Sequence, residues 1–167
     1  ESALTDDLLT LRYLYYAPFF RDLATSFGAP LLFGGTNIVA SRNGKSIPMG
    51  DFDSQDYDLH RDLYQFSIFN SAFLADPERG LTDRVYNKIH LVPFAEGIPY
   101  VQRLKPLVNL IGAAVGMLPF GRGTDYTIYE VKGRTNDGGP LRFGVLICYE
   151  SCYPHLSRRF VRAGAEM

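Results

Sequence analysis

The sequence predicts an α/β domain built in layers, and three observations support this fold class. Residues 141–148 form an apolar run without alternation, which is typical of a strand covered on both faces. A helical pattern follows, because Pro154 suits a first helical turn and Gly164 is placed to end the helix. Residues 64–75 and 84–92 are strand-like and enclose a turn, which predicts a hairpin. Strands and helices in this order indicate a layered α/β domain.

Length and composition fit one globular domain and give no sign of nucleic-acid binding, a disulfide framework or a membrane span. The chain has 167 residues, 46% of them hydrophobic and 21% charged, with a formal net charge of −1. This balance gives no electrostatic reason to expect nucleic acid. Two cysteines are too few for a disulfide framework, and no targeting segment is recognisable. The longest apolar run, residues 107–120, is interrupted by Asn109 and is shorter than the roughly 20 residues that span a bilayer.

The first third of the chain predicts a helix, a strand and a loop. Apolar residues recur at helical spacing over 7–27 and end at Gly28, while Pro18 either kinks this segment or divides it. Residues 31–39 predict a strand whose glycines mark a bulge or a close backbone approach. Residues 41–62 are rich in Gly, Asp and Ser and predict a loop. Its aspartates lack the ligand spacing and the glycine of a calcium loop, so we interpret it as a solvated acidic loop and predict no metal site.

The predicted hairpin contains a lysine in an unusual position. Residues 76–80 have turn chemistry, and residues 84–92 form the returning strand. Alternation places Tyr86, Lys88 and His90 on one face among large apolar neighbours. Lys88 therefore lies either on an exposed strand face or in the interior with a carboxylate partner, because an unpaired buried charge is too costly. His90 is interpreted as a structural hydrogen-bonding residue, since the sequence places no acid partner for it.

The segments that follow complete the element order. Glu96 lies in a loop braced by Pro and Gly, eight residues after Lys88. Residues 100–119 are apolar and loosely helical, with little charge beyond Arg103 and Lys105. Residues 126–131 predict a strand, and the glycine-rich turn at 136–139 leads back into the apolar run.

The apolar run ends on a thiol. Cys148 is predicted at the carboxyl end of a strand where the chain crosses into a helix, the edge at which ligands gather in open α/β sheets. The alternative is that Cys148 is a small buried hydrophobe, which is the commoner fate of a free cysteine. Cys152 is interpreted as structural, and a bridge between the two cysteines has no support in the sequence.

Several motifs in order resemble a known family. They are ESAL at residues 1–4, FNSAFLADPERG at 69–80, VYNKIHLVPFAEGIPY at 85–100, MLPFGRGTDYTIYEV at 117–131, and FGVLICYE with YPHLSRRFVRAGAE at 143–166. This set resembles the carbon–nitrogen hydrolase (nitrilase) superfamily and, within it, the apolipoprotein N-acyltransferase family. The resemblance implies a four-layer α-β-β-α sandwich, incomplete at both ends. Residues 1–167 are then one partial domain of a longer membrane protein.

The resemblance also implies roles for named residues. Cys148 is the nucleophile, Glu1 the general base, and Lys88 the residue that stabilises the tetrahedral intermediate. Supporting roles fall to Glu96, Tyr149 and Glu150. These roles are chemically reasonable, because a thiol with a reference pKa of about 8.5 needs help to ionise and a fixed ammonium stabilises an oxyanion. The family usually has Gly where this chain has Ala95, so the loop that carries Glu96 is expected to differ slightly.

The implied reaction is transfer of an acyl chain through a cysteine thioester. The donor is a phospholipid, and the acceptor is the amino group of a diacylglyceryl-cysteine on an apolipoprotein. The resemblance implies no cofactor and places the enzyme in the bacterial inner membrane with this domain on the periplasmic side. With this reaction, residues 100–119 are either a membrane-dipping lid that admits acyl chains or a core helix. The 167 residues alone are expected to be inactive. Two alternatives stay open: a soluble amidase or nitrilase that uses the same three residues, and a non-catalytic binding domain.

Overall fold

The computed structural model of the protein describes residues 17–42, 45–47, 64–93, 96, 120–132 and 139–167. The predictions for Glu1, for most of the acidic loop and for residues 100–119 lie outside these described residues. So do the predicted helix before Ala17 and most of the turn at 136–139. The elements in chain order are α1 (Ala17–Phe27), β1 (Leu31–Arg42), β2 (Lys45–Ile47), β3 (Tyr64–Asp76), β4 (Gly80–Asn87), β5 (Tyr129–Val131), β6 (Leu141–Phe143), a 3-10 helix (Cys148–Cys152) and α2 (Pro154–Arg162).

The larger sheet has the strand order β2-β1-β3-β4, with every pair antiparallel. Strand β1 pairs with β3 from Leu31, opposite Ala75, to Arg42, opposite Tyr64. It therefore runs three residues beyond the strand predicted for 31–39. The prediction that the loop begins at 41 is wrong, because the backbone there pairs with β3 on one side and β2 on the other.

The β3–β4 turn forms as predicted, but the returning strand does not keep its predicted limits. One carboxylate oxygen of Asp76 accepts hydrogen bonds from the N–H groups of Glu78 (2.9 Å) and Arg79 (3.0 Å). Strand β4 already begins at Gly80, which has φ +78°, and ends at Asn87. The strand predicted for 84–92 is thus displaced toward the turn. Lys88 follows directly after β4.

Helix α1 covers one face of this sheet. The ring of Phe20 stacks on Phe33 of β1 (3.7 Å between centroids), and Phe33 stacks on Phe73 of β3 (5.5 Å). The Thr25 hydroxyl donates to the Pro77 carbonyl at 3.0 Å, which fixes the end of the helix to the β3–β4 turn. The helix ends before Gly28, as predicted, with that glycine at φ +61°.

Strands β5 and β6 form a separate antiparallel pair that leads into α2. After α2, the N–H of Glu166 donates to the Arg142 carbonyl (2.9 Å) and the N–H of Gly144 donates to the Met167 carbonyl (3.1 Å). These two hydrogen bonds hold the last residues of the chain alongside β6, in the same direction. The α2 limits agree with the prediction from Pro154, and Gly164 follows the helix with φ +104°.

The strand predicted for 141–148 is shorter and less buried than expected. The ladder with β5 covers Leu141–Phe143 alone, Arg142 is exposed, and the neighbouring apolar side chains to Ile147 are half-buried. The reason is that Val145, Leu146 and Ile147 pack at the margin of the core while their backbone leaves the ladder.

A buried cluster joins the two sheets and α2. The Tyr129 hydroxyl donates to the Ala72 carbonyl (2.7 Å) and accepts a hydrogen bond from the N–H of Tyr86 (2.9 Å), so it bridges the sheets. The cluster consists of Ala72, Leu74, Tyr86, Ile89, Tyr129, Phe160 and Ala165. The architecture is thus α/β. Among the described residues, no helix is long and apolar enough to cross a membrane.

Candidate functional site

Lys88 is completely buried and paired with a carboxylate. Its side chain has 0% exposure, and Nζ donates to both oxygens of Glu96, at 2.9 Å to Oε1 and 2.6 Å to Oε2. Its backbone N–H still donates to the Asn70 carbonyl of β3 at 2.8 Å, so the main chain is fixed as well. The exposed-face interpretation of Lys88 is wrong. The carboxylate partner is Glu96, the residue that the resemblance placed beside it.

Glu96 is itself held by four further hydrogen bonds, one of which its carbonyl accepts from the Phe120 N–H at 3.0 Å. Its carboxylate accepts from the Val92 N–H (2.9 Å) and from the Asn70 side-chain amide (3.0 Å), and its own N–H donates to the Val92 carbonyl (3.0 Å). Burial raises the pKa of Glu96, but hydrogen bonds from Lys88, Val92 and Asn70 outweigh it and leave the pKa below its usual value. The carboxylate is therefore ionised at neutral pH. Asn70 of β3 is a site residue that the sequence did not predict, because only the pairing of the strands brings it next to Glu96.

Glu150 forms a second buried carboxylate centre, again with 0% exposure. Oε1 accepts from the N–H groups of Ile89 (2.8 Å) and His90 (2.9 Å), and Oε2 accepts from the N–H of Ile147 (2.8 Å). The Tyr86 hydroxyl donates to both oxygens, at 2.9 and 3.0 Å. One side chain thus joins the segment after Lys88 to the turn that carries the thiol. No cationic side chain of the described residues pairs with it.

Tyr86 is the donor that sequence reasoning missed in this centre. Its side chain is completely buried, and burial, followed by the nearby Glu150 charge, raises the pKa of its phenol well above the usual value. The hydroxyl therefore stays protonated and donates to the carboxylate. Its ring also contacts Phe160 of α2, with 5.5 Å between centroids. Alternation along the predicted strand placed Tyr86 on the face of Lys88, which was the available signal.

Cys148 occupies a strained turn position with an exposed thiol. Its φ is +54°, the left-handed region, where a residue with a Cβ costs roughly 1–2 kcal/mol. It is the first residue of the 3-10 helix, and its carbonyl accepts a hydrogen bond from the Ser151 hydroxyl at 2.9 Å. The buried-hydrophobe alternative is wrong, because Cys148 is exposed and free, as is Cys152.

Aromatic and imidazole rings surround this turn. The exposed ring of Tyr149 contacts Tyr153 edge-on at 5.3 Å, and the His90 ring stacks on Tyr153 at 4.7 Å. The two Nε2 atoms of His90 and His155 are 3.3 Å apart. Burial, followed by the Arg122 guanidinium and the nearby His155 ring, lowers the pKa of His90. His90 is therefore neutral at neutral pH.

The described residues place Lys88, Glu96 and Glu150 in one connected region with the Cys148 turn, while Glu1 lies outside the described residues. Such a region offers an exposed sulfur, a buried ammonium whose third N–H is not used by Glu96, and backbone N–H groups at the turn. Within the described part of the chain, no group of three or more His, Cys, Asp or Glu side chains is arranged to hold a metal ion.

Comparison with known proteins relates the chain to enzymes. The carbon-nitrogen hydrolase family profile matches residues 33–167. An apolipoprotein N-acyltransferase of Geobacter metallireducens is 37% identical over 109 residues, which cover 65% of this chain and 19% of that protein. One of Chlorobaculum tepidum is 33% identical over 102 residues, covering 61% and 19%. Apolipoprotein N-acyltransferase 2 of Treponema denticola is 36% identical over 104 residues, covering 59% and 18%. The aligned part is thus about a fifth of each relative, and no solved structure matches.

Proposed function

Because this chain belongs to the carbon-nitrogen hydrolase family, we propose that it forms part of the catalytic domain of a bacterial membrane N-acyltransferase that modifies lipoproteins. The single observation that carries the proposal is the buried Lys88–Glu96 pair, joined through Glu150 to the turn with the exposed Cys148 thiol. The names of the related acyltransferases support the substrate class. In the whole protein the two sheets then belong to a four-layer α-β-β-α sandwich on the periplasmic side of the inner membrane.

The first half-reaction makes a thioester. Glu1 takes the thiol proton, and the Cys148 sulfur forms a bond to the ester carbonyl carbon of a phospholipid while the carbonyl electron pair moves to oxygen. The Lys88 N–H that Glu96 does not accept, together with the Tyr149 backbone N–H, stabilises this oxyanion. When the carbon–oxygen double bond re-forms, the ester bond breaks and the lysophospholipid alkoxide takes the proton from Glu1.

The second half-reaction transfers the acyl chain. The amino group of a diacylglyceryl-cysteine attacks the thioester carbonyl, the same two donors stabilise the oxyanion, and the carbon–sulfur bond breaks to leave an amide. The proton lost by the amine passes through Glu1 to the Cys148 sulfur, which restores the thiol. No electrons enter or leave, so the reaction needs no redox cofactor.

The supporting residues act on position and charge. Glu96 accepts two of the three N–H bonds of the Lys88 ammonium, which leaves the third for the substrate oxygen. Glu150 acts through the backbone, because its hydrogen bonds fix the segment after Lys88 and the residue before Cys148. The left-handed φ of Cys148 projects the sulfur from a sharp turn, so its strain is part of how the nucleophile is presented.

The test is intact-mass analysis of the full-length protein after incubation with phospholipid. We expect an acyl adduct on the wild type and on Cys152→Ala, and none on Cys148→Ala. Cys152 is the matched control, because it is also exposed and free and lies four residues away. An unmodified wild-type protein that hydrolyses small amides would instead identify an amidase. Normal lipoprotein acylation by Cys148→Ala would exclude the nucleophile role and support a binding domain.

A further inference from the structure

Two imidazoles face each other beside the Cys148 turn. The His90 and His155 Nε2 atoms are 3.3 Å apart, and the two rings meet edge-on with 5.2 Å between centroids. The backbone of His90 is held in place because its N–H donates to the carboxylate of the buried Glu150. His155 is exposed on the first turn of α2. Both rings thus lie at the surface next to the candidate site.

Two arginines accompany the imidazoles. Arg159 follows His155 by four residues on α2, so both lie on the same helix face. Its guanidinium donates to the Tyr126 hydroxyl (3.0 Å) and lies over that ring, 5.5 Å from its centroid. Arg122 is exposed and precedes Gly123, whose N–H donates to the Lys88 carbonyl at 2.8 Å. This bond fixes Arg122 beside the segment that carries His90.

The group has no acidic counterpart among the described residues. Burial is the largest cause of the lowered pKa of His90, and the neighbouring groups Arg122, His155 and Arg159 lower it further, whereas Glu150 raises it. Glu150 is completely buried and already accepts hydrogen bonds from a phenol and three backbone N–H groups. The acid of the neighbouring segment, Asp125, accepts a hydrogen bond from Thr124 and forms no ion pair with a described residue.

We propose that Arg122, His90, His155 and Arg159 bind the phosphate group of an anionic ligand next to Cys148. Guanidinium groups match phosphate oxygens in geometry and charge, and the two imidazole rings supply further N–H donors. The ligand is the phosphodiester of the acyl donor, an assignment that rests on the proposed function. The site then holds the headgroup while the ester reaches the thiol.

The test follows the His90 imidazole by NMR in full-length protein labelled at histidine. Three probes are added in turn: inorganic phosphate, dihexanoyl phosphatidylethanolamine and dioctanoylglycerol, which has no phosphate. We expect both phosphate-bearing probes to raise the pKa of His90, the phospholipid at lower concentration, and the diacylglycerol to have no effect. Arg122→Gln and Arg159→Gln should each weaken phospholipid binding about threefold to tenfold. Arg159→Lys should recover part of the loss.

The matched control is Arg79→Gln, which removes one exposed arginine from the β3–β4 turn at the opposite end of β4. It should bind like the wild type. A response to inorganic phosphate without one to phospholipid overturns the headgroup assignment, and no response to either probe overturns the site. If Cys148 is acylated but the pKa of His90 does not change with either phosphate-bearing probe, the phosphate site is refuted and the acyltransferase proposal is not. A His90 response without acylation refutes the acyltransferase proposal and keeps the phosphate site.

Discussion

Replacing Glu150 with glutamine tests whether its carboxylate holds the site together. The glutamine oxygen can keep the hydrogen bonds from Ile89 and His90, but its amide nitrogen then faces the N–H of Ile147, donor against donor. One unsatisfied buried N–H costs about 1–3 kcal/mol, and the hydrogen bonds that the glutamine oxygen retains lose the strength that a charged acceptor gave them. We expect a local destabilisation of about 2–4 kcal/mol.

Native-state hydrogen exchange measures this change directly. At about 1.4 kcal/mol for each tenfold change, the amides of Ile89, His90 and Ile147 should exchange about 30 to 1,000 times faster in Glu150→Gln. Amides of α1 should exchange as in the wild type, because α1 packs at the other end of the β3–β4 hairpin. The matched control is Glu130→Gln, which removes an exposed carboxylate whose pairing with Arg142 is worth little.

A specific result would refute the reasoning. If the three amides in Glu150→Gln keep wild-type protection, the negative charge is not what fixes the two segments, and packing of Tyr86 against Phe160 suffices. Cys148 alkylation by a small reagent gives a second readout. We expect a change in its rate in Glu150→Gln, because the turn is closed by the bond from Ile147 to the carboxylate.

Three further predictions concern the neighbouring contacts. Lys88→Met leaves the Glu96 carboxylate without its ammonium and should lower the free energy of unfolding by about 3 kcal/mol, measured by thermal unfolding. The control is Lys132→Met, which removes the lysine of an exposed ion pair and should change the stability little. Gly123→Ala should destabilise by more than about 2 kcal/mol, because its Cβ would lie 2.0 Å from the Asn87 carbonyl oxygen; wild-type stability would contradict the packing. The pKa of Glu96 is lowered in the folded protein. Its ionised carboxylate therefore stabilises the fold at pH values above the unfolded pKa of about 4.3, and this stabilisation is lost as the pH falls through the folded pKa. Glu96→Gln should flatten the pH dependence of the thermal midpoint below about pH 5, and an unchanged slope would contradict this prediction.

The sequence predicted what is locally encoded. Turn chemistry at Asp76 and Gly80, the proline at the start of α2 and the glycine after it all lie where the structure has them. The need of a buried Lys88 for a carboxylate was also predictable, because it follows from the cost of an isolated charge. Each of these inferences depends on residues close in sequence or on a single energetic rule.

The strand limits failed for a non-local reason. Apolar alternation continues past Lys88, so pattern alone extended the strand to residue 92. The N–H groups of Ile89 and His90 instead bond to Glu150, some sixty residues away, and leave the ladder. The strand predicted up to Cys148 was too long for a similar reason, because residues after Phe143 pack against the core without pairing with β5. No periodicity reports such a change of hydrogen-bonding partner.

The two carboxylates divide the work of assembling the site. Glu96 binds the end of the lysine side chain, so it controls the direction of the ammonium. Glu150 binds main-chain groups of Ile89 and Ile147, so it controls where the segment after Lys88 and the turn that carries the thiol lie. Its charge is balanced by N–H dipoles and one phenol, which leaves Lys88 free to keep its own partner. A cation beside Glu150 would compete for the oxygens that hold Ile89 and Ile147, which explains why a buried acid serves here without a basic partner.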